Sequence, residues 1–197
     1  MDHQTPNDLL PDFYSKYNLG KDGGVAYPYV IIEFFKYLKV YIPNWDARRR
    51  GVLKHDIHHI LTGYESIMTG EFQIAAWEIA SGCIYCPSAY LLNAGGLVMG
   101  LFLYTKKTFQ AFMRGCDSIS LYRWDISDED MKSMSISELK KMIRLKESHE
   151  SHIRFFDILK LILHFILSSA VMVLTIFSIP YLIVYNMYWY GKNILKR

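Results

Sequence analysis

The stretch from residue 48 to residue 82 reads RRRGVLKHDIHHILTGYESIMTGEFQIAAWEIASG and predicts two helices separated by a short break. We expect the first helix to begin between Arg48 and Val52, and the second to run from about Gly70 to Gly82. Gly63 indicates the break, because glycine readily adopts the backbone conformation that ends a helix. No segment of alternating polarity competes with helices elsewhere, so the sequence predicts an all-α fold.

Residues of metal-binding type cluster on the first of these helices. His55 and His59 are four residues apart and share one helix face, and Asp56 leans toward the same side. Glu71, near the start of the second helix, could fold back toward them. Such a mixture of nitrogen and oxygen donors suits zinc, manganese or iron better than a thiolate-selected site. The sequence thus predicts a divalent-metal site; the alternative is that two histidines and an acid share a helix face by chance.

Two further residues belong to the same pair of helices. His58 lies on the other side of the first helix and is predicted to be a hydrogen-bonded or exposed histidine rather than a ligand. Glu78 comes two turns after Glu71 and faces roughly the same side. It is therefore either a base behind the metal ligands or a solvated carboxylate, and no other residue is assigned a catalytic role.

The charge of the chain bears on its partners. The formal net charge of +3 and the isoelectric point near 8.6 are too mildly basic to indicate a nucleic-acid partner. Basic residues are scattered except for Arg48, Arg49 and Arg50. This triplet lies within two turns of His55 and could meet the phosphate or carboxylate head group of a lipid. A solvated face, or a contact with a membrane surface, is the alternative.

The three cysteines, Cys83, Cys86 and Cys116, are predicted to be buried and reduced. Cys83 and Cys86 have the spacing of redox and zinc motifs, but a thioredoxin-like site needs a βαβ setting and a zinc ribbon needs a second pair. Neither is visible in the sequence. An odd number of cysteines also fits a reducing compartment.

Two apolar segments flank the candidate metal residues. Residues 30–42 are predicted to form a helix that is apolar over most of its circumference and that either packs deeply or walls an apolar cavity. Residues 88–115 form a long apolar stretch containing Gly95, Gly96 and Gly100. These glycines would allow the close approach of another helix or of a lipid chain.

The C-terminal part of the chain lacks charged residues from Leu161 to Gly191. As a helix, residues 161–179 would be roughly 28 Å long, close to the hydrocarbon thickness of a bilayer. Pro180 would kink or end that helix, and aromatic residues crowd the far end like an interfacial belt. This pattern predicts a membrane helix, with a buried core or dimer helix as the alternative.

These features together predict a metal- and lipid-binding domain over residues 1–150 and a membrane-anchoring segment over residues 151–197. Basic residues before the apolar segment outnumber those after it, which favours a metal domain on the cytoplasmic side, at the inner membrane if the protein is bacterial. The first 24 residues are polar and do not have the pattern of a secretory signal. A homodimer is compatible with so much apolar sequence, although no residue pattern requires one.

The motif His55-Asp56-x-x-His59, eleven residues and Glu71, with Gly63 and Gly70 between, resembles the metal motif of the coenzyme Q (ubiquinone) biosynthesis protein family numbered four, called here the Coq-four family. The resemblance covers roughly residues 45–145. Further segments within it resemble the family, namely Phe112-Met-Arg114-Gly115, Leu121-Tyr-Arg-Trp124-Asp125 and Ser137-Glu138-Leu139.

The resemblance implies an all-α fold with an apolar tunnel for a polyprenyl chain, and His55, Asp56, His59 and Glu71 as metal ligands. Residues 30–42 and 95–100 become candidates for tunnel walls. The family is implicated in processing the ring of the ubiquinone precursor, including oxidative removal of its carboxyl and replacement by hydroxyl, and in organising the other biosynthetic enzymes. The C-terminal apolar segment has no counterpart in the family.

Three functions follow as hypotheses. The first is a membrane-anchored, metal-dependent enzyme, an oxidative decarboxylase acting on a polyprenylated benzoate precursor. The second is a non-catalytic isoprenoid-binding scaffold in which the metal joins two helices. The alternative to a ubiquinone precursor as the lipid is another isoprenoid lipid, quinone or otherwise. The third, a metal-dependent phosphohydrolase, would need a separate upstream histidine, and His3 in a polar tail is a poor candidate.

Overall fold

The computed structural model describes residues 4–34, 38–146 and 153–194. Within these ranges the chain is predominantly helical, which confirms the predicted all-α class, and one short β-hairpin is the exception. The helices are α1 Pro6–Tyr17, α2 Asp46–Thr62, α3 Met68–Ser81, α4 Pro87–Leu103, α5 Thr105–Cys116, α6 Asp128–Ser133, α7 Ile136–Met142, α8 Phe155–Phe177 and α9 Ile179–Ile194, and the strands are β1 Tyr29–Phe34 and β2 Leu38–Pro43.

The predicted helix over residues 30–42 is wrong, because β1 and β2 pair there as an antiparallel hairpin. The segment is rich in valine, isoleucine and aromatic residues, which favour extended backbone. Glu33, Lys36 and Lys39 are three residues apart in the sequence, a spacing that imitates one polar stripe of a helix. In the strand register Glu33 lies opposite Lys39, and Lys36 lies outside the described residues. A helical tunnel wall formed by this segment is therefore excluded.

The break between α2 and α3 lies where the sequence predicts it. α2 ends at Gly63, which has φ 77°, in the left-handed region, and donates its N–H to the His59 carbonyl at 2.9 Å. α3 begins at Met68, so that Glu71 stands in its first turn. Both predicted helix bounds agree with the structure to within a few residues.

α3 forms the centre of the helical core and packs closely against α4 and α5. A Cβ atom built on Gly96 would lie 2.7 Å from Ala75 Cβ, and one on Gly100 would lie 2.8 Å from Phe72 Cβ. These two glycines therefore serve helix packing rather than a tunnel wall, whereas Gly95 faces open space. The close approach brings the polar residues of α4 up to those of α3.

α8 confirms the expectation of a membrane-type helix by length and composition. The segment Phe155–Thr175 has a mean hydropathy of 2.1, and 17% of the residues in its apolar window are buried. By length and composition this helix is long and apolar enough to cross a bilayer. α8 ends at Phe177, and Pro180 is the second residue of α9, as expected of a proline that ends one helix and begins another.

Candidate metal centre

The facing sides of α2 and α3 bring His55, His59 and Glu71 together, and their ligand atoms lie within 4.8 Å of one another. The Nε2 atoms of His55 and His59 are 3.2 Å apart. Glu71 Oε2 is 3.5 Å from His55 Nε2, and Glu71 Oε1 is 3.4 Å from His59 Nε2. Three of the four residues predicted as ligands thus form one triangle.

The separations in this group approach those of ligand atoms around one metal ion, with the two shortest carboxylate distances running to different oxygens of Glu71. Bonds of about 2.1 Å at tetrahedral or octahedral angles separate neighbouring ligand atoms by about 3.0 to 3.4 Å. The two histidines and one carboxylate could therefore occupy one face of such an ion and leave its other positions open. A set of this kind is found both in zinc hydrolases and in non-haem iron oxygenases, so the donors alone do not choose the metal.

The outer nitrogens of both histidines are already engaged. His59 Nδ1 lies 2.8 Å from the Tyr64 carbonyl oxygen, to which it donates, and His55 Nδ1 lies 3.1 Å from Glu78 Oε1. Each imidazole in its neutral form therefore turns the Nε2 lone pair toward the other. Two such acceptors 3.2 Å apart repel unless a proton or a cation lies between them.

Glu78 is fully buried behind the triangle and holds it in place. Its Oε1 accepts hydrogen bonds from His55 Nδ1 and from His58 Nδ1 at 2.7 Å, and the Tyr122 hydroxyl lies 3.4 Å away. Its Oε2 accepts from the Asn93 side-chain amide. Burial acts to raise the pKa of this carboxyl, but His55 and His58 outweigh it and hold the pKa well below the usual range. Glu78 is therefore a buried partner of His55 and His58, not a solvated carboxylate.

His58 is a buried, hydrogen-bonded histidine, as predicted. Its Nε2 accepts the Leu121 backbone N–H at 3.0 Å, which leaves Nδ1 as the donor to Glu78. Burial lowers the pKa of His58 below its ordinary value. The neutral ring of His58 thereby connects α2 and α3 to the segment around Leu121.

Asp56 lines the same cavity but is not part of the triangle, as judged over the described residues. Burial is the main cause that raises its pKa, to about 6. Its Oδ2 lacks a hydrogen-bond partner among the described residues. A Cβ atom on Gly23 would lie 2.6 Å from Oδ2, so the glycine backbone, with φ 67°, approaches this carboxylate closely. A fourth ligand at Asp56 stays a prediction.

Of the arginine triplet, Arg48 faces the cavity. Its Nη1 donates to Asn44 Oδ1 at 2.9 Å, and burial lowers the pKa of its guanidinium although Asp56 acts in the opposite direction. Arg49 turns elsewhere and donates to Asp46 and to the Tyr27 carbonyl. The side chain of Arg50 lies outside the described residues.

The cavity beside the triangle has a volume of about 310 Å³. Its polar lining includes Arg48, His55 and Glu71, and its apolar wall includes Leu19 and Leu92. A lining that combines charged groups with apolar side chains is typical of a site for a small molecule. Further lining residues are Gly23, Gly51, Val52, Asp56, Ser66, Ser88, Ala89, Asn93 and Tyr122.

Sequence reasoning missed two residues of the site, Asn93 and Tyr122, both of which contact Glu78. Nothing local marks them, because each reaches Glu78 only through the packing of distant segments. Tyr122 does lie in one of the segments that carried the family resemblance. The expectation of buried, reduced thiols fits the free Cys83, which is buried, and in part Cys86 and Cys116, which are half-buried and free.

Comparisons with protein-family models, with curated proteins and with solved structures give no significant match. The resemblance to the Coq-four family therefore stays a prediction that rests on the residues quoted above.

Proposed function

We propose that this protein binds a divalent metal ion through His55, His59 and Glu71 and processes the head group of a polyprenylated quinone precursor. The observation that carries the proposal is the triangle of two imidazole nitrogens and one carboxylate at the wall of a partly apolar cavity. The cavity offers cation and metal-ligand chemistry for a head group, and apolar contacts with Leu19 and Leu92 for the start of a tail.

The reaction that fits this lining is oxidative decarboxylation. A benzoate, dioxygen, two electrons and three protons give a phenol, carbon dioxide and water, so a dioxygen supply and an external two-electron reductant are required. A bound divalent ion would supply Lewis-acid stabilisation of a carboxylate or phenolate oxygen, and iron or manganese would also support chemistry with dioxygen.

The protein's own side chains have separate tasks in this proposal. The Arg48 guanidinium, which lines the cavity, would pair with the ring carboxylate. Glu78 keeps His55 oriented with Nε2 toward the cavity side of α2. Asp56, which is buried in the same wall, would complete the ligand set or accept a proton at its carboxylate.

A non-catalytic scaffold is the second candidate, and a specific observation favours it. The ligand triangle joins two helices, His55 and His59 from α2 and Glu71 from α3. A metal there would stabilise the helix pair whatever else it did, since binding energy at a site absent from the unfolded chain is folding energy. In this role the protein would present an isoprenoid to other quinone-biosynthesis enzymes at the membrane.

The first experiment is elemental mass spectrometry of protein purified in detergent without chelators. Wild type is compared with His55→Ala and Glu71→Gln, and with Glu65→Gln as a control. Glu65 is exposed, and its side chain forms a surface ion pair with Lys16 at 3.2 Å. We expect about one equivalent of metal in wild type and in the control, and its loss in both ligand variants. A folded wild-type protein that takes up no ion when challenged with zinc, iron or manganese would overturn the proposal.

Turnover then separates the enzyme from the scaffold. The metal-loaded protein is given a polyprenylated benzoate, a reductant and isotope-labelled dioxygen, and the product is analysed for one labelled ring hydroxyl. We expect labelled phenol from wild type and Glu65→Gln, and none from Glu71→Gln. Metal binding without product under any redox condition, together with a lower Tm in the ligand variants, would favour the scaffold.

A further inference from the structure

α8 has a polarity opposite to that of a helix on the surface of a soluble protein. Its polar residues Asp157, His164 and Ser168 are at most 9% exposed and turn toward the other helices. Its outward side carries large apolar residues that are mostly half or more exposed, among them Leu163 at 63% and Leu174 at 69%. In water this would expose a large apolar surface, so the outer face of α8 is suited to lipid.

The inward polar residues of α8 have partners in the helical core. His164 Nδ1 is 3.0 Å from the Tyr90 hydroxyl of α4, and Lys160 Nζ donates to the Ala80 carbonyl at 2.6 Å. The charges of the helix are thus turned away from its outer face. Asp157 is likewise held by Arg154, at 2.8 Å.

α4 shows the same arrangement. Its polar residue Asn93 is 7% exposed and donates to Glu78, whereas Leu91, Phe102 and Leu103 on its outer side are 57%, 71% and 57% exposed. The helix has 17 residues, which gives a length of about 25 Å. That length is shorter than the hydrocarbon core of a bilayer, which is about 30 Å thick. We therefore expect α4 to lie along a membrane rather than to cross it.

The two outer faces meet. α4 packs against α8, and the rings of Phe102 and Phe165 are 6.2 Å apart between centroids. The exposed Lys106 and Lys107 follow directly after α4. Cations at the edge of an apolar face match the phosphate layer of an anionic bilayer.

We propose that the outer faces of α4 and α8 form one lipid-facing surface, with α8 inserted in the bilayer and α4 lying in its interfacial region. The cavity beside the candidate metal centre then opens next to lipid, because Ser88, Ala89 and Leu92 of α4 line it and Leu92 is 47% exposed. A lipid-borne molecule would reach the cavity from the side of the membrane rather than from water.

The test uses the full chain in vesicles of phosphatidylcholine and phosphatidylglycerol. The photoreactive residue benzoylphenylalanine replaces Phe102 on α4, Leu174 on α8 or Glu129 on α6, and adducts formed on illumination are identified by intact-protein mass spectrometry. Phe102 and Leu174 are 71% and 69% exposed, and Glu129 is also exposed, so each position tolerates the larger side chain. Circular dichroism checks that each variant folds.

We expect phospholipid adducts at Phe102 and at Leu174, and none at Glu129. Adducts at Leu174 without any at Phe102 would overturn the proposal, because α8 alone would then contact lipid. Cross-linked dimers at Phe102 without lipid adducts would also overturn it, since a second copy of the chain would cover α4. Neither outcome depends on metal binding or turnover, so the result is independent of the proposed function.

Discussion

At the scale of single residues, Glu78 contacts His55 and His58, and in the proposed metal site it would orient His55. The variant Glu78→Gln keeps the shape of the side chain but removes the charge that His55 and His58 contact. We expect the affinity for zinc to fall by about 10-fold to 100-fold. Isothermal titration of chelator-treated protein measures this, and Glu65→Gln should leave the affinity unchanged. An unaltered affinity in Glu78→Gln would contradict the role of Glu78 behind His55.

A second prediction at this scale concerns pH. Burial acts to lower the pKa of His55, but Glu78 and Glu71 outweigh it and raise the pKa well above 6.5. A raised pKa contributes stability that is fully present below 6.5 and is lost as pH rises through the folded-state value. We expect the Tm of the metal-free protein to fall on the alkaline side, and that of the zinc-loaded protein to fall less.

On the acidic side, the pKa shifts have the opposite sign, and stability is lost as pH falls. The pKa values of Glu71 and Glu78 are lowered from 4.5, so their stabilising contribution is present above 4.5 and is lost as pH falls through the folded-state values. Thermal unfolding followed across the pH range, with and without zinc, checks both limits. A metal-free Tm that rose steadily with pH through the alkaline range would contradict the assignment for His55.

That His55, His59 and Glu71 lie close together could be predicted from the sequence because helical spacing and a helix break are local properties. His55 and His59 share a face by their separation alone, and Glu71 follows the break by a fixed interval. The contacts of Asn93 and Tyr122 with Glu78 could not be predicted, since they depend on how α4 and the segment after α5 fold back. The role of Glu78 depends on its burial, which the spacing of residues along the sequence does not predict.

At the scale of elements, local sequence signals mark the helix ends, as Gly63 does for α2. The capping box of α7 is present, with Ser135 accepting the Glu138 N–H at 3.2 Å and Glu138 accepting the Ser135 N–H at 2.8 Å. The hairpin of β1 and β2 was missed because polar residues three apart imitate a helical stripe, while the β-branched residues between them favour strands.

Helix packing gives a matched pair of variants on α4. Gly96→Ala would place a Cβ atom 2.7 Å from Ala75 Cβ, whereas Gly95→Ala would meet nothing within 4 Å. We expect Gly96→Ala to lower the free energy of unfolding by about 1 to 3 kcal/mol through overpacking. Gly95→Ala should raise it by up to about 1 kcal/mol, since alanine favours helix over glycine. Chemical denaturation in detergent measures both, and equal effects would contradict the close packing of α3 and α4.

At the scale of the whole molecule, much of the exposed apolar side-chain surface of the described residues belongs to α4, α8 and α9. We expect the expressed protein to stay in the membrane fraction after extraction with alkaline carbonate, which releases proteins held by charge alone. A variant with Leu163→Asp and Leu174→Asp, both at exposed positions of α8, should be released or aggregate. Recovery of the wild-type protein in the soluble fraction would contradict membrane insertion of α8.

The short connection between α2 and α3 fixes the number of residues between the two histidines and Glu71. One residue added or removed within the first turn of α3, before Glu71, would rotate that side chain by about 100° relative to the packed part of the helix and carry it away from the two histidines. Natural variation should therefore preserve the interval between the histidines and Glu71, together with Gly63 and its left-handed backbone, while exposed positions such as Glu65 vary.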